Sequence, residues 1–329
     1  MAPETITAAP LYDNQSAAAG IRMDRGPLDY SRHDDHGMWL RQQLTQVQTR
    51  TYDARYYELV FRKLIPPMRE RLSPGMLSVV FSSVEAAGEA PIVSSADQDV
   101  VEIAVSATPY ERPVRWTALA YGYSDMEIDH ARYARTDLQL KKASFCRRGI
   151  EERLEQVACF GAPKYGITYG ILNSPSVTTL GPITETFAAT DDADLILKQI
   201  GSMVNTITES TGGRIRPNTL LLPPAAYTAL TVKRIPHTAV TLLQYLKDNH
   251  PYLDVIEGWH RLTGASKDGT QDRAILYTRD PDFLELIEPS PFQQRPPRQT
   301  SLGVSIVCTA STGGAVVHYP DTIVYLDGV

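Results

Sequence analysis

The sequence predicts an α+β chain. Three observations carry that class: a proline-free stretch from Ser124 to Phe160, a region of period-two apolar alternation before it, and a second globular region after it in which short apolar strands alternate with helices. The proline-free stretch reads as one helix, opened by a capping box in which Ser124 and Glu127 satisfy each other's backbone donors. At 1.5 Å per residue it would run about 55 Å, against a diameter of roughly 50 Å for a compact ball of this chain length. An elongated subunit that lies against copies of itself explains that length better than an enzyme folded around a pocket.

Taken in order, residues 1–36 are small and polar without periodicity, an extended arm that orders on contact. Met38 to Leu64 follows as an amphipathic docking helix, with Trp39, Leu40, Leu44 and Val47 at helical spacing and Pro66 and Pro67 as its stop. Leu77, Val79 and Phe81, then Val101, Ile103 and Val105, then Val114, Trp116 and Ala118 alternate as strands. Between the first two runs, Ser82 to Asp99 carries Gly88 and Pro91 and little to bury. It reads as a long hairpin with a poorly packed tip, and an isolated hairpin needs partners from elsewhere.

Along the long helix the apolar stripe changes face. Ile128, Ala131, Ala134, Leu138 and Phe145 share one side, while Ala143, Cys146, Ile150, Leu154 and Val157 lie around the cylinder from them. A coiled coil would keep one seam, so each half has its own partner. Gly149 is the expected weak point, a site for a kink.

Gly161, Gly166 and Gly170 then mark a loop. A helix from Asp192 to Thr211 stops at Gly212 and Gly213; Asn218 to Leu222 is a buried strand; Pro223 and Pro224 start a helix to Val232; Val240 to Lys247 makes another. Arg273 to Tyr277, Phe283 to Ile287, Val304 to Ala310 and Ala315 to His318 return as strands, with Thr312, Gly313 and Gly314 as a turn. Pro281, Pro289, Pro291, Pro296 and Pro297 keep their region extended.

Composition excludes several functions. The 329 residues are 43% hydrophobic and 21% charged with a net charge of -6, and Lys and Arg are scattered, unlike the basic stripe of a sequence-reading nucleic-acid binder. No apolar run is long enough for a bilayer, and no signal peptide opens the chain. The three cysteines, Cys146, Cys159 and Cys308, lack metal-ligand spacing and read as buried thiols in a reducing compartment. No nucleophile elbow, HExxH or P-loop is present, and Thr211 to Arg214 follows a helix instead of opening one. His33, Asp34, Asp35 and His36 carry metal-ligand chemistry, but in a flexible arm they read as a solvated turn. The chain is expected to need no cofactor and no metal and to perform no catalysis.

The succession of arm, hairpin, long helix, the loop GILNSP, the segment NTLLLPPAAYTAL and the closing TASTGGAVVHYPDTIVYLDGV resembles the major capsid proteins of tailed bacteriophages. These have the Hong Kong 97-like fold, which encapsulin nanocompartments share. The resemblance covers about residue 38 to the end and implies four parts: residues 1–74 as arm and docking helix, 75–120 as the extended hairpin loop, 121–180 with 279–329 as a peripheral domain built on a spine helix at 124–160, and 181–278 as an axial α/β domain. It implies a shell of pentamers and hexamers in the virion, assembled in the host cytoplasm around double-stranded DNA. Partners would be further copies of the chain, a portal protein, scaffold or decoration proteins, and packaged DNA without sequence preference; no membrane is involved. An encapsulin-type compartment, or an α/β hydrolase-like enzyme, are the alternatives.

Some relatives cross-link a hairpin lysine to a neighbour's asparagine. Here no lysine lies between Lys63 and Lys141, so non-covalent contacts are expected. The polar arm is also too short to act as a built-in scaffold.

Candidate inter-subunit contacts are Trp39, Gly88, Pro91, Trp116, Lys141, Lys142, Arg147, Arg148, Glu151 and Glu152. For the charged residues of the long helix two readings stand. One is a solvated face with i to i+4 pairs, Arg147 with Glu151 and Arg148 with Glu152; the other is ion pairing between subunits or diffuse contact with DNA.

Overall fold

The computed structural model describes residues 58–70, 72–87, 104–134, 138–183 and 185–329. The arm, most of the docking helix and the hairpin tip fall outside them. The docking helix is described only at its end, as α1 (Phe61–Leu64). Phe61, Leu64 and Ile65 bury their side chains in the main core. Pro66 and Pro67 then extend the chain along a later strand, where Leu286 N–H donates to Pro66 O at 2.8 Å and Met68 N–H to Leu286 O at 3.1 Å.

Strands β1 (Ser78–Ala87) and β2 (Ala104–Pro113) pair antiparallel over their whole length, from Ser78 with Pro113 to Ala87 with Ala104. Val79 and Val114 root this hairpin on Ile287 and Val316. After Val114 the chain turns into β3 (Arg115–Ser124), which pairs with β11 (Gly303–Thr312), not with the hairpin. β3 forms one edge of a sheet with β11 and β10 (Arg298–Thr300), while β9 (Ser290–Gln294) also pairs with β11. Residues 115–120 therefore belong to the sheet of the closing strands, because their partners lie there.

The capping box is present: Ser124 N–H donates to Glu127 Oε2 and Glu127 N–H to Ser124 Oγ, both at 3.2 Å. Two helical segments follow, α2 (Asp125–Ala134) and α3 (Leu138–Phe160), with residues 135–137 outside the described ones. α3 runs unbroken through Gly149. A β-carbon there would lie 3.2 Å from Leu119 Cδ2, so the glycine lets β3 approach the helix. Cys146, Ile150, Leu154 and Val157 are buried as their spacing predicts, whereas Phe145, assigned to the other stripe, is half exposed. Burial pushes the Cys146 thiol up to about 12 and Cys159 well above the usual thiol range. All three cysteines are free and buried, which makes them packing groups.

After α3 the chain folds back on itself through the glycine loop. Ile171 N–H reaches Ala158 O at 3.0 Å and Leu172 N–H reaches Cys159 O at 2.9 Å. Gly170 permits this approach, since a β-carbon on it would sit 2.4 Å from the Cys159 carbonyl.

A five-stranded sheet of order β4-β13-β7-β5-β6 comes next, made of β4 (Thr178–Leu180), β5 (Thr219–Leu222), β6 (Val255–Gly258), β7 (Arg273–Tyr277) and β13 (Ile323–Asp327). Helix α4 (Ala193–Ser210) lies on one side, capped by Asp192, whose side chain accepts from Asp194 N–H at 3.0 Å. It buries Ile196, Ile200, Met203 and Ile207 together with α5 (Pro224–Val232) and α6 (Leu242–Asn249). α3 packs in the cluster on the other side. A separate ribbon pairs β8 (Leu284–Ile287) with β12 (Gly314–Val317).

The closing strand departs from expectation. β13 does not stay with the other strands of 279–329 but lies between β4 and β7. Its side chains alternate between the two cores, Ile323 and Tyr325 in one and Val324 and Leu326 in the other, and only an interior position in a covered sheet buries both faces.

Gly170→Ala forces a β-carbon into backbone and is expected to cost about 3 kcal/mol. Gly181→Ala, with nothing within 4 Å, should stay within about 0.5 kcal/mol. Urea unfolding of the unassembled subunit measures both.

Candidate functional site

The functional surface of a self-associating chain is what it leaves uncovered, and the described residues leave apolar surface on β3 and α2. In β3 the side chains alternate. Tyr121 and Tyr123 pack inward, and Leu119 approaches α3 at Gly149. On the other face Trp116, Ala118, Ala120 and Gly122 are all exposed, Trp116 at 47%. Among the described residues β3 is also an edge strand, so an apolar face and an open backbone edge coincide there, a combination that invites pairing. Met126 at 71% and Tyr133 at 95% exposure continue apolar surface onto α2.

The charged face of α3 is largely occupied within the chain. Arg62 donates to Glu151, and its Nε and Nη2 grip the two oxygens of Glu288 at 2.9 and 2.6 Å. The hydrogen bonds that Arg62 donates to Glu288 and Glu151 raise its guanidinium further above its already high range, against the opposing effect of burial. Glu155 is fully buried, accepting from Arg261 Nε at 2.9 Å and Trp259 Nε1 at 3.4 Å. Glu152 lies 3.6 Å from Arg261. The solvated-face reading is thus corrected at Glu151 and Glu155. Glu151 lies three residues before Leu154, and Glu155 three and four before Ala158 and Cys159, all buried, so both carboxylates border the packed side, where an arginine from another segment meets each.

Lys142 Nζ donates to both Glu127 oxygens, at 3.0 and 2.9 Å, and to Gly122 O at 2.9 Å. Its hydrogen bond, followed by that from the Ser124 backbone, holds the Glu127 carboxyl below the usual range. Lys142 therefore ties α3 to the start of α2. Arg147 is exposed, 3.9 Å from Glu151 and with its guanidinium 5.7 Å from the Phe292 ring centroid. Arg148 is half-buried. Trp39, Gly88, Pro91, the Lys141 side chain and the cluster His33 to His36 lie outside the described residues. Among the described residues no group of three or more His, Cys, Asp or Glu side chains is placed to hold a metal ion, and no helix is long and apolar enough to cross a membrane.

Sequence reasoning missed Arg62, Glu288 and Arg261. The signal for Glu151 and Glu155 was available, since Leu154 lies three positions after the first and Ala158 and Cys159 three and four after the second. Their partners are 89 and 106 residues away, a pairing no local pattern announces.

This architecture is the Hong Kong 97-like capsid fold. The capsid of Myoviridae phage XM1 is similar at TM-score 0.75 and 15% identity, over 88% of this chain and 98% of that one. The capsid of cyanophage P-SCSP1u is similar at 0.58 and 11%, over 85% and 91%. A virus-like particle from Pyrococcus furiosus is similar at 0.51 and 12%, over 89% and 100%. No curated protein sequence matches the chain. The family model described as major capsid protein matches residues 88–329, and the chain belongs to that family. It is a structural protein of the virion shell that assembles with copies of itself, not an enzyme.

Glu155→Ala, which deprives Arg261 and Trp259 of their buried carboxylate, is expected to cost about 3 to 5 kcal/mol. Arg147→Ala, on an exposed pair, should change stability by less than about 0.5 kcal/mol. Denaturant midpoints of the unassembled subunit compare them.

Proposed function

We propose that this chain builds the icosahedral head of a tailed bacteriophage, as pentamers and hexamers enclosing double-stranded DNA and held by non-covalent contacts. The observation that carries the contact assignment is the exposed Trp116, Ala118, Ala120 and Gly122 face on the β3 edge. An extended hairpin from one subunit lies over this face of the next, and many such weak contacts close a shell together. Trp116 is its apolar anchor. Arg147, Arg148 and, beyond the described side chains, Lys141 supply polar contacts to a neighbour or loose contact with DNA; Glu152 and, beyond the described residues, Trp39, Gly88 and Pro91 are further contacts. Lys142 and Glu151 act within the subunit.

In this reading 121–180 with most of 279–329 forms the peripheral part and 181–278, completed by β13, the axial part. A portal protein, and scaffold or decoration proteins, are the other partners. The likeness to a virus-like particle favours a second reading, a compartment that encloses protein cargo instead of a genome. Particles recovered from infected cells decide between them by whether their content is DNA or protein.

Trp116→Glu is expected to yield folded subunits that fail to form particles in negative-stain images, where the wild type forms closed shells. Wild-type particles boiled in detergent should run as one band at 36.5 kDa. A ladder of covalent multimers would contradict the non-covalent shell.

A further inference from the structure

We propose that Tyr110 and Arg112 are positioning residues that aim the hairpin, fixing the angle at which it leaves the body and so the curvature of the shell. This deepens, and rests on, the reading that the hairpin lies over a neighbouring subunit.

Geometry makes the angle consequential. The paired ladder from Ser78 to Ala87 is ten residues long, about 30 Å at the rise of an antiparallel strand. A rotation of about 10° at its root displaces the far end by about 5 Å, more than a hydrogen bond tolerates. The apolar contacts at the root, Val79 and Val114 against Ile287 and Val316, resist separation but are non-directional and do not set an angle. Directional bonds are needed.

Two alternate residues of β2 supply them. Arg112 is held by three carbonyls: its Nε donates to Gly313 O at 3.0 Å, and its Nη2 to Ala315 O at 3.1 Å and to Tyr169 O. These acceptors come from two segments, the turn into β12 and the glycine loop after α3. A planar, rigid fork bridging them fixes orientation in a way an ammonium on a flexible stem does not. Tyr110 makes the second anchor, its hydroxyl hydrogen-bonded to His318 Nδ1, whose Nε2 lies 3.3 Å from Glu285 Oε2. Phe81, the cross-strand partner of Tyr110, stacks on it at 5.1 Å and meets the His318 ring edge-on at 4.9 Å. Burial, with the Glu285 charge adding to it, pushes the Tyr110 phenol up to about 12, so the hydroxyl keeps its proton. Two anchors on one strand edge define a direction where one would leave a pivot.

The test uses the full chain with Arg112→Lys, Arg112→Gln and Tyr110→Phe, beside a variant in which residues 88–103 are replaced by a two-residue turn. Particle diameter and closure are read by electron microscopy, and the melting temperature of the unassembled subunit is read separately. We expect Arg112→Lys and Arg112→Gln to keep the subunit folded while cutting the yield of closed, uniform shells at least tenfold, with open or irregularly curved assemblies in their place. Tyr110→Phe, which keeps the stacking, should broaden the diameter distribution less. Shells of wild-type diameter and yield from both Arg112 variants, with the tip-deleted chain failing to assemble, would overturn the positioning role alone. So would a loss of shells that only follows loss of fold. Normal shells from the tip-deleted chain would instead overturn the underlying hairpin reading.

Discussion

One sheet buried on both faces is the constraint on which the rest depends. In β5, Leu221 enters one core and Leu220 and Leu222 the other; in β7, Ile275 and Tyr277 oppose Ala274 and Leu276; in β13, Ile323 and Tyr325 oppose Val324 and Leu326. Strict alternation turns three adjacent strands into a wall with a hydrophobic cluster on each side. α3 closes one cluster and α4 the other, so neither helix can shift without disturbing the same strands. Polar bonds reinforce the wall. Arg273 forks onto Asp327 at 2.6 and 2.8 Å across β7 and β13, Tyr325 Oη donates to Ile171 O at 2.6 Å, and Tyr277 Oη to Leu64 O at 2.8 Å. Sheet, glycine loop and the end of α1 are thereby bolted together.

Against this body the chain distributes its charges by distance from the wall. Glu155, nearest the core, is fully buried and meets Arg261. Glu151, one turn earlier, is held by Arg62, which also grips Glu288. Arg147, a further turn away, is exposed. The described residues thus leave apolar surface on β3 and α2 and an exposed charge at Arg147.

Much of the body was legible because its signals are local. The 3.6-residue spacing from Ile196 to Ile207, the two prolines before α5 and the apolar run in β7 each specify an element without reference to distant residues, although the cap of α4, expected at Thr190 or Asp191, is Asp192. The capping box at Ser124 and Glu127 belongs with them. What stayed hidden depends on partners far along the chain. β4 and β6 are short strands made by pairing alone. β13 reads as one more closing strand until its two faces find two cores. Gly149 looks like a flaw in a helix until Leu119 arrives from β3. The candidate surface was legible only in part: Trp116 stood out as an aromatic in a strand, but the burial of Glu151 and Glu155 needs Arg62 and Arg261, which come from segments far along the chain.

The shared sheet couples both cores into one cooperative unit. Native-state hydrogen exchange of the unassembled subunit across a denaturant series tests it directly. The amides of Ile150 to Cys159 in α3 and of Ile196 to Ile207 in α4 should report the same opening free energy with the same denaturant dependence. Exchange of the α4 amides through an opening that leaves α3 and β13 protected would contradict it, since the wall would then divide two independent domains.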